Sequence, residues 1–328
     1  MGDVAMAVPV LRVLRQTYPE LKITVLSKAP FKVFFDAIEN CHFLEADIYG
    51  RHKGFGILGL AKEAKVLGID CVADLHQVIR AKIISTVLWF SQIRIASINK
   101  GRSEKKDLVN ANGGGIAQLK STHQRYAEVF AKLGLPIDLK DHIFPAPKQL
   151  EHKHHDLIGK TSKKLIGIAP FAAYKSKIYP QAQLKEVIHH LDATNQYRIL
   201  LFGSKEESSV LSQLEQTFGS AVNTAGKFTF SEELALISNL DSMLSMDSGN
   251  GHLGAMFGIP VVSLWGVTHP YAGFVPFEQP NSNQLVSNRD KFPLIPTSVY
   301  GNKFPKGYEN VMQSIPVSLI VEKIRAVL

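Results

Sequence analysis

Short apolar runs alternate with amphipathic stretches along most of the chain. The apolar runs have the length and composition of buried parallel strands, and they fall at 22–27, 71–76, 93–98, 164–170, 197–203, 241–246 and 260–266. Between them apolar residues recur at helical spacing, as in 56–68, 125–135, 181–193 and 208–219, and a terminal helix is predicted over 315–328. This alternation predicts an α/β protein with parallel sheets and helices on both faces.

The segment 145–164 interrupts the alternation, because it is rich in proline and charge and is followed by a fresh series of strands and helices. A chain of 328 residues is also long enough for two domains. We therefore predict two doubly wound domains, 1–155 and 156–328. Ligands of such sheets bind beyond the carboxyl ends of the strands, so the ligand is expected in a cleft between the domains.

The beginning of the chain departs from this pattern. Met1-Gly2-Asp3 comes directly before an amphipathic helix predicted to start at Val4. A doubly wound domain normally begins with a strand. We therefore expect either that the fold lacks its first strand or that the sequence starts late, at an internal methionine.

The composition indicates which classes of partner and which cellular compartment are expected. The formal net charge of +8 favours anionic partners, whether nucleic acid, anionic lipid or phosphorylated small molecules. Cys41 and Cys71 have no ligand-like spacing, which is typical of a reducing compartment. The N-terminus shows no secretory signal, and the most apolar window, from Ile83, is interrupted by Gln92 and Arg94. These features predict a cytoplasmic protein.

A glycine-rich stretch, GNGHLG at 249–254, matches the G-x-G-x-x-G dinucleotide fingerprint. That fingerprint needs an acidic residue about twenty positions after its first glycine, to hold a ribose hydroxyl. Counted from Gly249, the region reads GVTHPYAG, and the next acidic residue is Glu278. An NAD-dependent oxidoreductase is therefore the least favoured function.

The same stretch has a second interpretation. A strand is predicted to end at Met246, so Asp247-Ser248-Gly249 forms the turn into a helix whose N-terminus favours an anion. The alternative is that Asp247 or Ser248 is only the N-cap of that helix.

The segment 247–270, DSGNGHLGAMFGIPVVSLWGVTHP, resembles the signature of the family 9 glycosyltransferases, the ADP-heptose:lipopolysaccharide heptosyltransferases. Four other segments resemble family motifs in the same order: MGDVAMAVPVLRVLRQTYP (1–19), DLHQVIRAKII (74–84), PFAAYKSKIYP (170–180) and RILLFGSKEE (198–207). Two departures are a tyrosine, Tyr179, in place of the family's tryptophan and the lack of a strand before Gly2-Asp3. The resemblance implies a GT-B fold, with an acceptor-binding and a donor-binding Rossmann-like domain facing each other.

The resemblance also implies a reaction. It is the inverting transfer of a heptose or related sugar from an ADP-sugar to a lipopolysaccharide core or similar anionic glycolipid, at the cytoplasmic face of the inner membrane. We expect peripheral membrane contact, no cofactor, no metal ion and no nucleic-acid partner. The alternative is a non-catalytic nucleotide-sugar-binding protein, which the missing first strand favours.

The resemblance places the catalytic base at Asp3, whereas the residues alone also allow an N-cap for the helix from Val4. It selects Lys177 for contact with the donor diphosphate, and Lys175 is expected to be a solvated surface residue. Glu206 is the candidate for the donor ribose, with Glu207 or simple helix capping as alternatives.

The remaining donor candidates follow from motif position. Phe228 is expected beside the adenine, with a core role as its alternative. Asp247, Ser248, Gly249 and His252 are expected at the diphosphate and sugar, although a histidine on a helix is more often structural.

The acceptor candidates are basic residues of the first half of the chain. Arg80, Lys100 and Arg102 are expected to bind the anionic acceptor, although runs of charge are usually solvated faces. The HKHH run at 152–155 lies in the predicted linker, and we interpret it as surface rather than as a metal site.

Overall fold

The computed structural model describes residues 1–111, 114–159 and 161–328. Within these residues, eleven α-helices and ten strands alternate. The helices are α1 (Gly2–Thr17), α2 (Gly56–Val66), α3 (Ile79–Trp89), α4 (Arg102–Val109), α5 (Thr122–Lys132), α6 (His152–Ile158), α7 (Gln181–Asp192), α8 (Ser208–Thr217), α9 (Phe230–Ser238), α10 (Gly249–Ala255) and α11 (Val317–Val327). The strands are β1 (Ile23–Ser27), β2 (Cys41–Glu45), β3 (Cys71–Asp74), β4 (Arg94–Ser97), β5 (Lys164–Ala169), β6 (Tyr197–Leu201), β7 (Ala221–Asn223), β8 (Ser242–Met246), β9 (Val261–Trp265) and β10 (Gln284–Val286).

The chain divides into two compact units. Unit 1 contains Met1, Asp3–Gly101 and Lys120–Ile143; unit 2 contains Gly2, Arg102–Leu119 and Phe144–Leu328. Unit 2 therefore begins its long continuous segment at Phe144 and also includes Arg102–Leu119, whereas the sequence predicts a single boundary at 155/156. Hydrogen bonds between the Lys148 backbone and two side chains explain the difference: Lys148 N donates to Ser238 Oγ at 2.9 Å, and Asn239 Nδ2 donates to Lys148 O at 2.8 Å. The residues after 143 are thus attached to the end of α9.

Unit 2 is built on one parallel sheet with the order β10-β9-β8-β5-β6-β7. All five residues of β8 and all five of β9 are buried, because helices cover both faces of a doubly wound sheet. The strand order reverses between β5 and β8. In such sheets this reversal opens a crevice at the carboxyl ends of the two strands, where ligands bind.

Unit 1 begins with α1, as the sequence predicts, and its described strands form two separate parallel pairs, β1–β2 and β3–β4. Helices α2 and α3 share one apolar cluster. The cluster includes Ile57 and Leu60 of α2 and Ile84 and Leu88 of α3. These two helices therefore pack side by side.

Candidate active site

The loops that follow β5 and β8 bring together a buried ion pair in unit 2. Lys177 Nζ lies 3.3 Å from Asp247 Oδ2, and the two side chains are only 11% and 13% exposed. Thr268, which follows β9, donates its hydroxyl to the same carboxylate oxygen at 2.8 Å. Buried charges require such partners because their desolvation is costly. The pair stands at the strand reversal, where a ligand of this sheet is expected.

The backbone around Lys177 leaves its stem little freedom. Ser176 donates its hydroxyl to Gly301 O, and Gly301 N donates to Ser298 Oγ at 2.9 Å. Gly301 has φ +87°, and a Cβ added there would lie 2.8 Å from both Cγ and Cδ of Lys177. A Cβ on Gly266 would lie 2.1 Å from Ser176 O. The two glycines therefore allow the Ser298–Gly301 turn and the strand end to close around Lys177.

The Asp247-Ser248-Gly249 turn leads into α10, which begins at Gly249 as predicted. Among the residues described, neither side chain caps this helix. Ser248 occupies the N-cap position without a side-chain bond to the helix, and its Oγ lies 3.2 Å from Ser245 Oγ. The carboxylate of Asp247 turns to Lys177 and Thr268 instead. The capping interpretation is therefore wrong for Asp247, whereas Ser248 is the N-cap residue by position. His252 is buried within α10.

The two glutamates after β6 have different tasks. Glu207 Oε2 accepts from Ser204 N at 2.7 Å and forms a capping box, so Glu207 caps the helical turn. Glu206 is exposed. Hydrogen bonds from its own backbone N–H and from the Ser204 side chain hold the pKa of Glu206 below its ordinary value. Of the two, Glu206 is the carboxylate open to a ligand.

Phe228, which follows β7, is half-buried rather than a core residue. One face of its ring stacks on His154, with centroids 4.9 Å apart and ring planes at 8°. It lines an open pocket of about 260 Å³ together with Lys153, Asp156, Leu157 and Lys227. An aromatic ring beside an open pocket is suited to stacking on a planar heterocycle.

The interpretation of 152–155 as surface is wrong for His154. This side chain is fully buried: its Nδ1 accepts from Glu151 N at 2.8 Å, and its Nε2 lies 3.1 Å from Glu232 O. Lys153 pairs with the Glu232 carboxylate. The run therefore attaches α6 to α9. Over the part of the chain that the structure describes, no group of three or more His, Cys, Asp or Glu residues is arranged to hold a metal ion.

Asp3 lies in unit 1, inside the first turn of α1. The helix begins at Gly2 rather than Val4 and its N-cap is Met1, so the capping interpretation of Asp3 is wrong. The carboxylate is more than half exposed, and its Oδ2 lies 3.7 Å from Nε2 of His76. The backbone oxygen of Asp3 accepts from the Tyr126 hydroxyl at 3.3 Å. Asp3 thus has a fixed backbone and a carboxylate open to solvent, as a general base requires.

His76 is a candidate that the sequence analysis missed. It follows β3 in a loop fixed by Asp74, whose Oδ1 accepts from His76 N at 3.0 Å and from Gln77 N at 2.7 Å. Gln77 takes a left-handed conformation, with φ +48°. A histidine at the carboxyl end of the strand predicted over 71–76 is the signal that was available.

The acceptor candidates belong to both units. Arg80 is exposed on α3 and Lys100 is partly buried, both in unit 1, whereas Arg102 is exposed at the start of α4 in unit 2. Their binding of an acceptor stays a prediction.

The comparisons with known proteins agree on one family. Residues 97–305 match the model of glycosyltransferase family 9 (heptosyltransferase). Over 208 residues the chain is 28% identical to lipooligosaccharide heptosyltransferase 2 of Haemophilus influenzae, an alignment that covers 58% of this chain and 56% of that protein. The chain thus spans about half the length of this relative.

Two solved structures have the same fold over nearly the whole chain. The family 9 glycosyltransferase of Veillonella parvula superposes with a TM-score of 0.75 at 18% identity, covering 100% of this chain and 94% of that one. ADP-heptose lps heptosyltransferase II of E. coli superposes with a TM-score of 0.67 at 16% identity, covering 99% and 95%. These similarities confirm the predicted GT-B class with two Rossmann-like units. Because the family model matches more than half of the chain, the protein belongs to glycosyltransferase family 9.

Proposed function

We propose that this protein transfers a heptose or closely related sugar from an ADP-sugar to a lipopolysaccharide core or related glycolipid, with inversion at the sugar. The observation that carries the proposal is the buried Lys177–Asp247 pair at the strand reversal of unit 2. The names of the relatives support the choice of sugar, nucleotide and acceptor.

The donor is held by the loops beyond the carboxyl ends of the unit 2 strands. Lys177 supplies a positive charge to the diphosphate, and Asp247 accepts hydrogen bonds from sugar hydroxyls. Ser248, Gly249 and His252, at the start of α10, complete the diphosphate and sugar site. Glu206 accepts from the ribose hydroxyls. Phe228 stacks on the adenine in the pocket beside His154.

In the chemical step Asp3 accepts the proton of the attacking acceptor hydroxyl. The oxygen attacks the anomeric carbon opposite the diphosphate, and the bond between that carbon and the diphosphate oxygen breaks. The electron pair of that bond leaves with ADP, whose charge Lys177 stabilises. The configuration at the anomeric carbon is therefore inverted. The proposal includes no cofactor and no metal ion.

The proposed acceptor is a negatively charged glycolipid. Arg80, Lys100 and Arg102 bind its anionic groups, and no nucleic acid is a partner. Over the described chain no helix is long and apolar enough to cross a membrane. A lipid acceptor then requires peripheral contact with the inner membrane, which we place at its cytoplasmic face.

The test is the substitution Asp3→Asn, assayed with ADP-heptose and a lipopolysaccharide core acceptor. Loss of a general base lowers kcat by about a hundredfold or more, while ADP binding measured by calorimetry stays unchanged. Asp36→Asn, an exposed aspartate of unit 1, is the control and leaves both values unchanged. An unaltered kcat for Asp3→Asn would exclude Asp3 as the base. ADP binding by a wild-type protein that transfers no sugar would favour the non-catalytic alternative.

A further inference from the structure

The outward side of α3 is apolar where a surface helix is normally polar. Ile84 and Leu88 face the core of unit 1. On the opposite side Ile79 is 78% exposed, Trp89 is 61% exposed and Phe90, directly after the helix, is 75% exposed. The rings of Trp89 and Phe90 pack edge to face, with centroids 5.1 Å apart. The helix is therefore apolar on both its buried side and its solvent side.

Helix α2, which shares an apolar cluster with α3, also carries exposed apolar side chains. Phe55, just before the helix, is 92% exposed, and Leu58, Val66 and Leu67 are exposed along it or directly after it. Nine of the nineteen large hydrophobic side chains that are exposed among the described residues lie within 51–94. Because α2 and α3 pack against each other, these side chains lie on neighbouring helices. Exposed apolar side chains concentrated in this way mark an interaction site.

The segment that carries these side chains is also basic. Residues 51–94 contain seven Lys and Arg and three Asp and Glu, a formal charge of +4, which is half of the +8 of the whole chain. Among the exposed basic side chains are Lys62 and Lys65 on α2, and Arg80 and Lys82 on α3. Basic residues thus stand between the exposed apolar ones on both helices.

We propose that this surface, the α2–α3 face, docks on an anionic lipid bilayer. The α2–α3 face is defined by Phe55, Leu58, Ile79, Ile83, Trp89 and Phe90 with Lys62, Lys65, Arg80 and Lys82. Apolar and aromatic side chains enter the boundary between headgroups and acyl chains, and basic side chains bind the anionic headgroups. Stable peripheral binding needs both contributions, and this face supplies both.

Charge decides between a bilayer and a second copy of the chain. Two α2–α3 faces brought together would oppose two surfaces of formal charge +4, and like charges at an interface disfavour association. An anionic bilayer offers the complementary sign together with an apolar interior. The lipid surface is therefore the occupant that satisfies both the apolar and the basic side chains.

The α2–α3 face adjoins the acceptor candidates of unit 1 along the chain. Arg80, an acceptor candidate, lies on α3 itself, and His76, beside Asp3, precedes that helix by only a few residues. Docking through α3 would thus bring a lipid-anchored acceptor to the Asp3 side of unit 1. In this respect the inference rests on the proposed function, although vesicle binding requires no transfer.

The test uses purified full-length protein and vesicles of phosphatidylcholine with or without phosphatidylglycerol. We expect flotation with the anionic vesicles only, weakened by added NaCl. Of the two tryptophans Trp265 is buried and Trp89 is exposed, so brominated lipids should quench Trp89 fluorescence selectively. Trp89→Ser/Phe90→Ser should bind about tenfold more weakly. Lys62→Gln/Lys65→Gln/Lys82→Gln should lose about a hundredfold at low salt, at about fivefold per charge.

Matched controls lie in unit 2. Phe304→Ser/Leu319→Ser removes two exposed apolar side chains, and Lys291→Gln/Lys303→Gln/Lys306→Gln removes three exposed charges. Both controls should bind vesicles as the wild type does. The proposal would be overturned if the wild-type protein did not bind anionic vesicles, or if Trp89→Ser/Phe90→Ser bound them as tightly as the wild type. It would also be overturned if sedimentation velocity showed that the double substitution affects only self-association. ADP binding by the same preparation tests the proposed function, and vesicle binding tests the docking surface. Each proposal can therefore be refuted without the other.

Discussion

The Lys177–Asp247 pair makes a direct prediction for the stability of unit 2. Replacing Lys177 by Met keeps much of the packed stem and removes the charge. At 3.3 Å the attraction is about 5 kcal/mol for an effective dielectric constant of about 20. Removing one partner of a buried pair costs about 3–5 kcal/mol, and the Thr268 hydroxyl still donates to Asp247. We therefore expect a loss of about 3 kcal/mol, seen as a fall in Tm of about 6–12 °C.

The control for this prediction is in the same loop. Lys175→Met removes an equal charge from an exposed position, so it should change stability by less than about 0.5 kcal/mol. A double-mutant cycle with Asp247→Asn isolates the pair and should show a coupling of about 2 kcal/mol. The reasoning fails if Lys177→Met lowers Tm no more than Lys175→Met does, or if the two substitutions are additive.

Adding ADP separates binding from stability in the same variants. Lys177→Met removes the cation for the diphosphate, so calorimetry should show ADP affinity about tenfold lower or worse. Asp247→Asn leaves Lys177 buried without its anion, and the diphosphate of ADP restores one. ADP should therefore raise the Tm of Asp247→Asn by more than it raises that of the wild type. Equal Tm shifts would show that Lys177 does not bind the diphosphate.

Three further predictions concern single residues. His76→Gln should lower kcat about tenfold and leave the KM for the ADP-sugar unchanged, because His76 faces Asp3 and not the donor. Gly301→Ala, at φ +87° and against the Lys177 stem, should cost about 1–3 kcal/mol in denaturant unfolding and weaken ADP binding. Burial, helped by Arg289, lowers the pKa of His269 from 6.5 to about 4, so its contribution to stability is complete above pH 6.5 and is lost as the pH falls toward 4. His269→Gln should therefore flatten the fall in Tm between pH 6.5 and pH 4.

The seven predicted strands all formed, and the three that were missed share a physical reason. β8 and β9 were visible because strands covered on both faces are continuous apolar runs. β2 has the sequence CHFLE and is buried at none of its five positions, whereas β7 and β10 have only three residues each. Short or exposed strands carry no such run, so tertiary pairing alone determines them.

The candidate site was predictable in its parts and not in its connections. The D-S-G turn could be found because it follows a strand signal, whereas Lys177 is selected by the family resemblance. Their meeting at 3.3 Å depends on β5 and β8 being neighbours at the strand reversal, and the order of strands in a sheet is not a local property. The turn around Gly301 was missed for the same reason, because it joins Lys177 across more than a hundred residues of chain.

The α2–α3 face shows a further limit of pattern-based prediction. The apolar window from Ile83 covers only the second half of α3, and Gln92 and Arg94 make it too polar to span a bilayer. A helix that is apolar all round is ordinarily buried. Ile84 and Leu88 pack into the core of unit 1, and this packing leaves Ile79 and Trp89 on the solvent side of the helix. An exposed hydrophobic surface of this size in a water-soluble state would favour aggregation unless it serves a partner. The basic side chains beside it favour a partner of negative charge. An anionic lipid surface is such a partner, whereas the buried core of a protein would not accommodate these charges.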